Sequence, residues 1–130
     1  VIAAQAYERT MALADSETYV NLSTRLQLIK ADLHERLSRL RYAIGFGASL
    51  SVVTLLHYFD IAQYLTETVD DNQVKWGWKT PGHHLKVVGA IPLWARAVVI
   101  LPWRFADMIR ENHPTYKGPW IIPVPEVRVV

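Results

Sequence analysis

Cysteine is absent from the sequence of 130 residues. Its absence excludes disulfides, zinc–thiolate sites, iron–sulfur clusters and a thiol nucleophile within this chain. An excess of one charge is also missing, because fourteen Lys and Arg stand against twelve Asp and Glu, which argues against nucleic acid as a partner. Charged residues make up only 20% of the chain, below the usual quarter of a soluble domain, and the shortfall is concentrated in two apolar stretches.

Recognisable catalytic motifs are missing as well. The string G-F-G-A-S at residues 45–49 is followed by no Gly-Lys-Ser and lacks the G-x-S-x-G spacing, so it is neither a phosphate loop nor a nucleophile elbow. Asp70 and Asp71 share one turn-rich loop, whereas catalytic carboxylate pairs need different environments. His83 and His84 are adjacent and would point apart on a regular element. The sequence therefore predicts no enzyme activity, no metal site and no resident cofactor.

What is present is an uncharged stretch of eighteen residues, 42–59, with basic residues before it and carboxylates after it. This length is at the threshold for a membrane-spanning helix, and it predicts a single span at about residues 42–62. Positive charge remains on the side from which insertion proceeds, so the N-terminal part is expected to face the mitochondrial matrix. The basic residues Lys30, Arg36, Arg39 and Arg41 could also hold anionic lipid headgroups such as cardiolipin.

Apolar periodicity extends this span into one long helix over about residues 21–65. Leucines at helical spacing form a narrow seam before the span, and small residues continue it inside the span, where they allow helices to approach closely. The predicted helix-packing residues are Leu26, Leu33, Leu37, Leu40, Gly45, Gly47 and Ser51. This surface predicts that the helix packs against other subunits.

The remaining segments complete an all-α membrane protein. Residues 1–20 predict a short helix and residues 66–86 a loop, while residues 112–130 contain four prolines and predict an extended tail. The second apolar stretch, residues 87–111, predicts an amphipathic interfacial or re-entrant helix at about residues 90–111, or a second span with Arg96 buried against an acidic partner. The predicted interface anchors are Trp76, Trp78, Trp94 and Trp103.

These features predict a structural accessory subunit of an energy-converting membrane complex, either a respiratory chain complex or an ATP synthase. The expected location is the mitochondrial inner membrane, with the thylakoid or the bacterial inner membrane as alternatives. The expected partners are other membrane-protein subunits and lipid. A first residue of Val rather than Met suggests a processed form that has lost a targeting peptide, or a trimmed sequence.

Two other functions remain open. His57 is the only imidazole in the predicted span, and intramembrane ionisable groups are commonly functional, so His57 could help to bind a haem or a quinone. Alternatively, residues 42–59 could form the core helix of a soluble helical interaction domain.

Overall fold

The computed structural model describes residues 1–10 and 16–130. The helices in these residues are α1 (Ile2–Thr10), α2 (Ser16–Arg39), α3 (Leu50–Phe59) and α4 (Ala106–Asn112), with short 3₁₀ turns at Ala62–Tyr64, Gln73–Lys75 and Trp103–Phe105. The strands are β1 (Ala43–Phe46), β2 (Leu65–Val69), β3 (Val87–Val88), β4 (Ala97–Ile100), β5 (Trp120–Ile122) and β6 (Arg128–Val129). From residue 16 onwards the order of helices and strands is α2-β1-α3-β2-β3-β4-α4-β5-β6.

The strands form one sheet in the order β3-β2-β1-β4-β5-β6. All neighbouring pairs are parallel except β5 and β6, which are antiparallel. The chain moves from β1 towards β3 on one side, then returns to the other side of β1 and moves towards β5. The carboxyl ends of β1 and β4 therefore lie at a topological switch point, the usual position of ligands in open α/β sheets.

Helices cover both faces of the sheet. On one face, α2 and α3 pack Leu33, Leu37 and Leu56 against alternate strand residues. On the other face, α4 packs Ala106 and Ile109 against the remaining strand residues. Because both faces are covered, every residue of β1, β4 and β5 is buried. A strand buried on both faces is uniformly apolar and loses the alternation that otherwise identifies a strand.

The prediction of an all-α membrane protein is wrong, and the first apolar stretch shows why. The predicted long helix at residues 21–65 is instead α2, then β1, then α3, and Gly47 follows β1 with a φ of 104°, which no helix can contain. Within the uncharged residues 42–59, β1 is buried between the helices of the two faces, while α3 buries one side and exposes the other. Within residues 1–10 and 16–130, no helix is both long and apolar enough to cross a membrane.

The second apolar stretch and the tail also differ from the prediction. Residues 87–111 contain β3, β4 and the start of α4 in place of one amphipathic helix. The uninterrupted apolar run from Ala97 to Leu101 consists of the central strand β4 and the buried residue that follows it. The proline-rich tail contributes β5 and β6, since its prolines lie between the strand residues. Residues 66–86, predicted as a loop, include most of β2, which begins at Leu65.

The N-terminal helices lie largely outside the core. No residue of α1 is buried, and Ile29 is the first buried residue of α2. The short helix predicted in residues 1–20 corresponds to α1, while residues 11–15 of that segment lie outside the described residues. Only the C-terminal half of α2 packs on the sheet, where His34 joins it to α3 by a hydrogen bond of 2.7 Å from Nε2 to the Phe59 carbonyl oxygen.

Candidate functional site

The N-terminus of α3 stands at the switch point, directly after β1. Ser49 is the N-cap residue, but its side chain caps no backbone N–H group, and its hydroxyl lies 2.9 Å from that of Ser51. The amide groups of Ser51 and Val52, the second and third residues of α3, therefore lack the side-chain acceptor that usually caps a helix. Uncapped amides at the positive end of a helix dipole attract an anionic group.

Asp70 fixes the loop that leads into α3. Its carboxylate accepts hydrogen bonds from the Ala48 amide at 2.8 Å, the Asn72 amide at 2.9 Å and the Lys75 ammonium at 2.9 Å. Burial raises the pKa of Asp70, but these three hydrogen bonds outweigh burial and hold the pKa below the usual value for aspartate. The carboxylate is therefore charged at neutral pH, and each of its oxygens already has a protein partner.

A cavity of about 260 Å³ opens beside this helix terminus, and we call it the α3 cavity. One wall is the first turn and a half of α3, and the other wall is the segment that leads from the 3₁₀ turn to β3. The lining residues are Ala48, Ser49, Leu50, Val53, Lys75, Trp78, Lys79, Thr80, Pro81 and Val87. Trp78 is 62% exposed, so its ring is available to a ligand. The cavity combines an apolar wall with two amines and a helix N-terminus, a composition typical of a ligand site.

The loop that follows β4 occupies part of the switch point. A Cβ atom built on Gly47 would lie 2.7 Å from Cδ of Pro102, so the loop after β4 is in close contact with the loop after β1. The Leu101 amide also donates to the Phe46 carbonyl oxygen at 3.1 Å. The α3 cavity lies on the other side of α3, next to the segment that follows β2.

His57 lies on the exposed side of α3, and its nearest aromatic neighbour is His83, with ring centroids 6.1 Å apart. A haem or quinone role for it was inferred from an intramembrane position, and α3 is not a membrane span. His113 lies elsewhere, 3.1 Å from the carboxylate of Asp71. Among the described residues, no group of three or more His, Asp or Glu side chains could hold a metal ion.

The predicted helix-packing residues separate into two groups. Leu33 and Leu37 are buried on the side of α2 that faces the sheet, and Leu26 and Leu40 are partly buried against the same cluster. Gly45 lies within β1, where a Cβ atom would approach Thr68 and Leu101 at 3.0 and 3.1 Å. Gly47 forms the turn and Ser51 is exposed in the first turn of α3. Gly45 and Gly47 thus serve strand and turn packing rather than a helix–helix seam.

The predicted headgroup residues lie on or after α2, with Lys30 half-buried and Arg41 exposed. Arg36 pairs with Asp32, and Arg39 pairs with Glu35 at 2.8 Å. Such pairs, one helical turn apart, are ordinary for an exposed helix surface. Lipid binding by these four residues stays a prediction.

The tryptophans have separate surroundings. Trp76 donates from Nε1 to the Asp70 carbonyl oxygen at 2.7 Å, and Trp78 lines the α3 cavity. Trp94 makes an edge contact with Tyr42, and the Trp103 ring carries the Arg104 guanidinium at 5.2 Å. No helix among the described residues could span a membrane, and a role of the four rings as interface anchors stays a prediction.

Sequence reasoning missed Lys75, Lys79 and the role of Asp70. One signal was available, because Asp70 directly follows the buried end of β2, and polar residues at the carboxyl ends of parallel strands commonly form the site. That signal is visible only if residues 65–69 are identified as a strand.

The sequence model of a protein family described as C-methyltransferase C-terminal domain matches residues 1–125. No curated protein matches the chain. The family match contradicts the predicted accessory subunit of a respiratory chain complex or ATP synthase, the prediction that the chain is not an enzyme, and the mitochondrial inner membrane location. Of the three functions considered, a domain without a membrane span comes closest, although it is not all-helical. The chain belongs to the family of C-methyltransferase C-terminal domains.

Proposed function

We propose that this domain binds the methyl acceptor of a C-methyltransferase, the molecule whose carbon atom receives the methyl group, and that the α3 cavity holds it. The observation that carries this proposal is the uncapped N-terminus of α3 opening into a cavity with Lys79 and Trp78 on its opposite wall. These groups offer a charge and a flat apolar surface to one ligand.

The chemistry of the walls defines the class of acceptor. Amides of the first turn of α3 and the ammonium group of Lys79 favour a negatively charged group such as a phosphate or a carboxylate. Lys75 adds less, since it already pairs with Asp70 at 2.9 Å. The exposed ring of Trp78 can stack on a planar or apolar part of the ligand. The expected acceptor therefore carries an anionic group next to a ring.

The methyl donor fits this domain less well. In dinucleotide-binding α/β folds, an acidic residue about 20 residues beyond the glycine-rich turn accepts hydrogen bonds from a ribose. Asp70 is the acidic residue that follows β2 here, but its oxygens already bind Ala48, Asn72 and Lys75. Three of the roughly four acceptor sites of the carboxylate are therefore in use, which leaves little capacity for a ribose and makes the acceptor the better candidate.

A bound acceptor contributes to catalysis because its reacting carbon is held in a fixed position relative to the methyl donor. Transfer of a methyl group to carbon needs the acceptor carbon about 3–3.5 Å from the methyl carbon and aligned with the bond that breaks. A second anchor point, remote from the reacting carbon, restricts the acceptor to that geometry. The α3 cavity can provide such an anchor through its cationic and aromatic walls.

Steady-state kinetics of the enzyme that contains this domain would test the proposal. Lys79→Ala removes the ammonium group of the cavity wall, and we expect the KM for the acceptor to rise by about tenfold, equivalent to roughly 1.4 kcal/mol. The KM for the methyl donor is expected to remain within about twofold. Lys86→Ala is the matched control, because Lys86 pairs with Lys79 through its backbone but does not line the cavity.

Equal effects of Lys79→Ala and Lys86→Ala on the acceptor KM would contradict the proposal. A rise in the donor KM alone would assign the cavity to the methyl donor instead.

A further inference from the structure

Two histidines, His57 and His83, lie close together near the α3 cavity. His57 is exposed on α3, and His83 is half-buried in the turn that precedes β3. Their ring centroids are 6.1 Å apart and the ring planes differ by 37°. Among the described residues neither ring has a hydrogen bond or an ion pair to the protein, so the ring nitrogens of both are available to a ligand.

The spacing of the rings is close to that of two imidazoles on one metal ion. With metal–nitrogen bonds of about 2.1 Å, two imidazoles on a tetrahedral ion hold their ring centres roughly 5 Å apart. An approach of about 1 Å would therefore complete the site, and rotation of the exposed His57 side chain supplies it without movement of the backbone.

We propose that His57 and His83 together bind one divalent ion of the zinc, nickel or copper type. Imidazole nitrogens suit these ions, whereas magnesium and calcium prefer oxygen ligands. Because no third His, Asp or Glu completes the group among the described residues, the protein supplies two ligands and water occupies the other positions. An ion held by two protein ligands binds more weakly than a structural zinc ion with four.

The ion would join the two walls of the α3 cavity. Val53 lies one helical turn before His57 on α3, and Pro81 lies two residues before His83, and both line the cavity. Fixing these walls relative to each other would change the affinity of the cavity for its ligand, and the ligand would change the affinity for the ion by the same factor. This consequence rests on the proposed function, while the ion site itself does not.

Calorimetric titration of zinc chloride into the chain without an affinity tag and without a cavity ligand tests the site alone. We expect one ion per chain, and a loss of at least about tenfold in affinity for His57→Ala and for His83→Ala, since a single imidazole remains in each. His84→Asn is the matched control. His84 is the neighbouring histidine with a positive φ, and asparagine tolerates that backbone, so zinc binding is expected to stay within about twofold. Magnesium chloride is expected to give no heat of binding.

Thermal unfolding in the presence of zinc gives an independent measurement. Zinc is expected to raise the Tm of the wild type and of His84→Asn, and to leave the Tm of His57→Ala unchanged, because only an ion bound to the folded state stabilises it. Zinc binding that is equal in the wild type and in both alanine variants would overturn the proposal. If the wild type binds no zinc at about 1 mM, the proposal is also overturned, because an affinity weaker than this does not define a site.

Discussion

The two apolar stretches of the chain form neighbouring strand–loop–helix units that differ mainly in their loops. β1 and β4 lie side by side in parallel, with Phe46 opposite Ile100, and both are fully buried. After β1, the residues Gly47 to Ser49 lead directly into α3 and leave its first amides uncapped. After β4, Pro102 packs closely against Gly47 and the Leu101 side chain against Gly45, and a 3₁₀ turn precedes α4.

This difference shows how similar apolar strands can have separate roles at one edge of a sheet. The loop of the first unit leaves a helix terminus open beside the α3 cavity, while the loop of the second places Pro102 against Gly47. The strands supply the buried frame, and a few residues after each strand decide where a ligand can enter. Three substitutions can break or sharpen this comparison.

The largest effect is expected in the core face of α3. Leu56 is fully buried, so Leu56→Ala should lower the free energy of unfolding by about 2–5 kcal/mol through loss of apolar burial and formation of a cavity. Leu50→Ala on the same helix is the control, because Leu50 is 82% exposed and should change stability by less than about 0.5 kcal/mol. Urea unfolding followed by circular dichroism measures both. Similar values for the two variants would contradict the packing of α3 on the sheet.

The contact between the two loops is tested by Gly47→Ala. A side chain there meets an unfavourable positive φ and the ring of Pro102, and the two penalties of about 1–2 and 1–3 kcal/mol act together. Gly82→Ala carries only the backbone penalty, because nothing lies within 4 Å of a Cβ atom at Gly82. The difference in unfolding free energy between the variants therefore reports the close contacts of Gly47, chiefly with Pro102 and also with Val52. If Gly82→Ala destabilises the chain as much as Gly47→Ala does, the second loop does not press on the first.

A smaller, pH-dependent effect is expected for Asp70, whose carboxylate binds the loop of the first unit through the Ala48 amide. Asp70→Asn removes the carboxylate that holds Ala48 and Lys75, and should cost about 1–3 kcal/mol at pH 7. Because the pKa of Asp70 is lower in the folded chain, its charge stabilises the fold above the unfolded pKa of about 3.9. This stabilisation is lost as the pH falls through the lower, folded pKa.

Unfolding of wild type and Asp70→Asn between pH 7 and pH 2 measures this contribution. The difference in unfolding free energy should be largest at neutral pH and should shrink below about pH 4. Asp107→Asn is a suitable control, since Asp107 is 91% exposed and its distance to Arg110 is 3.8 Å. A difference for Asp70→Asn that does not change with pH would show that its carboxylate is not the stabilising group.

Part of the core was predictable from the sequence. The spacing of Leu33 and Leu37 correctly indicates the buried face of a helix, because helical periodicity is a local property of consecutive residues. The site was not predictable in this way. Lys79, Trp78 and the α3 terminus are separated by about 30 residues, and they meet only because β2 and β3 pair beside β1.

By itself, the sequence determined that two apolar stretches are largely buried away from water, that glycine and proline interrupt them, and that the chain has no thiol chemistry. Only the tertiary structure decided what covers those stretches. A short strand buried between two layers of helices and a helix buried in lipid are both continuous apolar runs, so composition alone cannot separate them. The strand differs in that its backbone hydrogen bonds go to residues far along the chain, as from β1 to β4, and this pairing is a property of the whole fold.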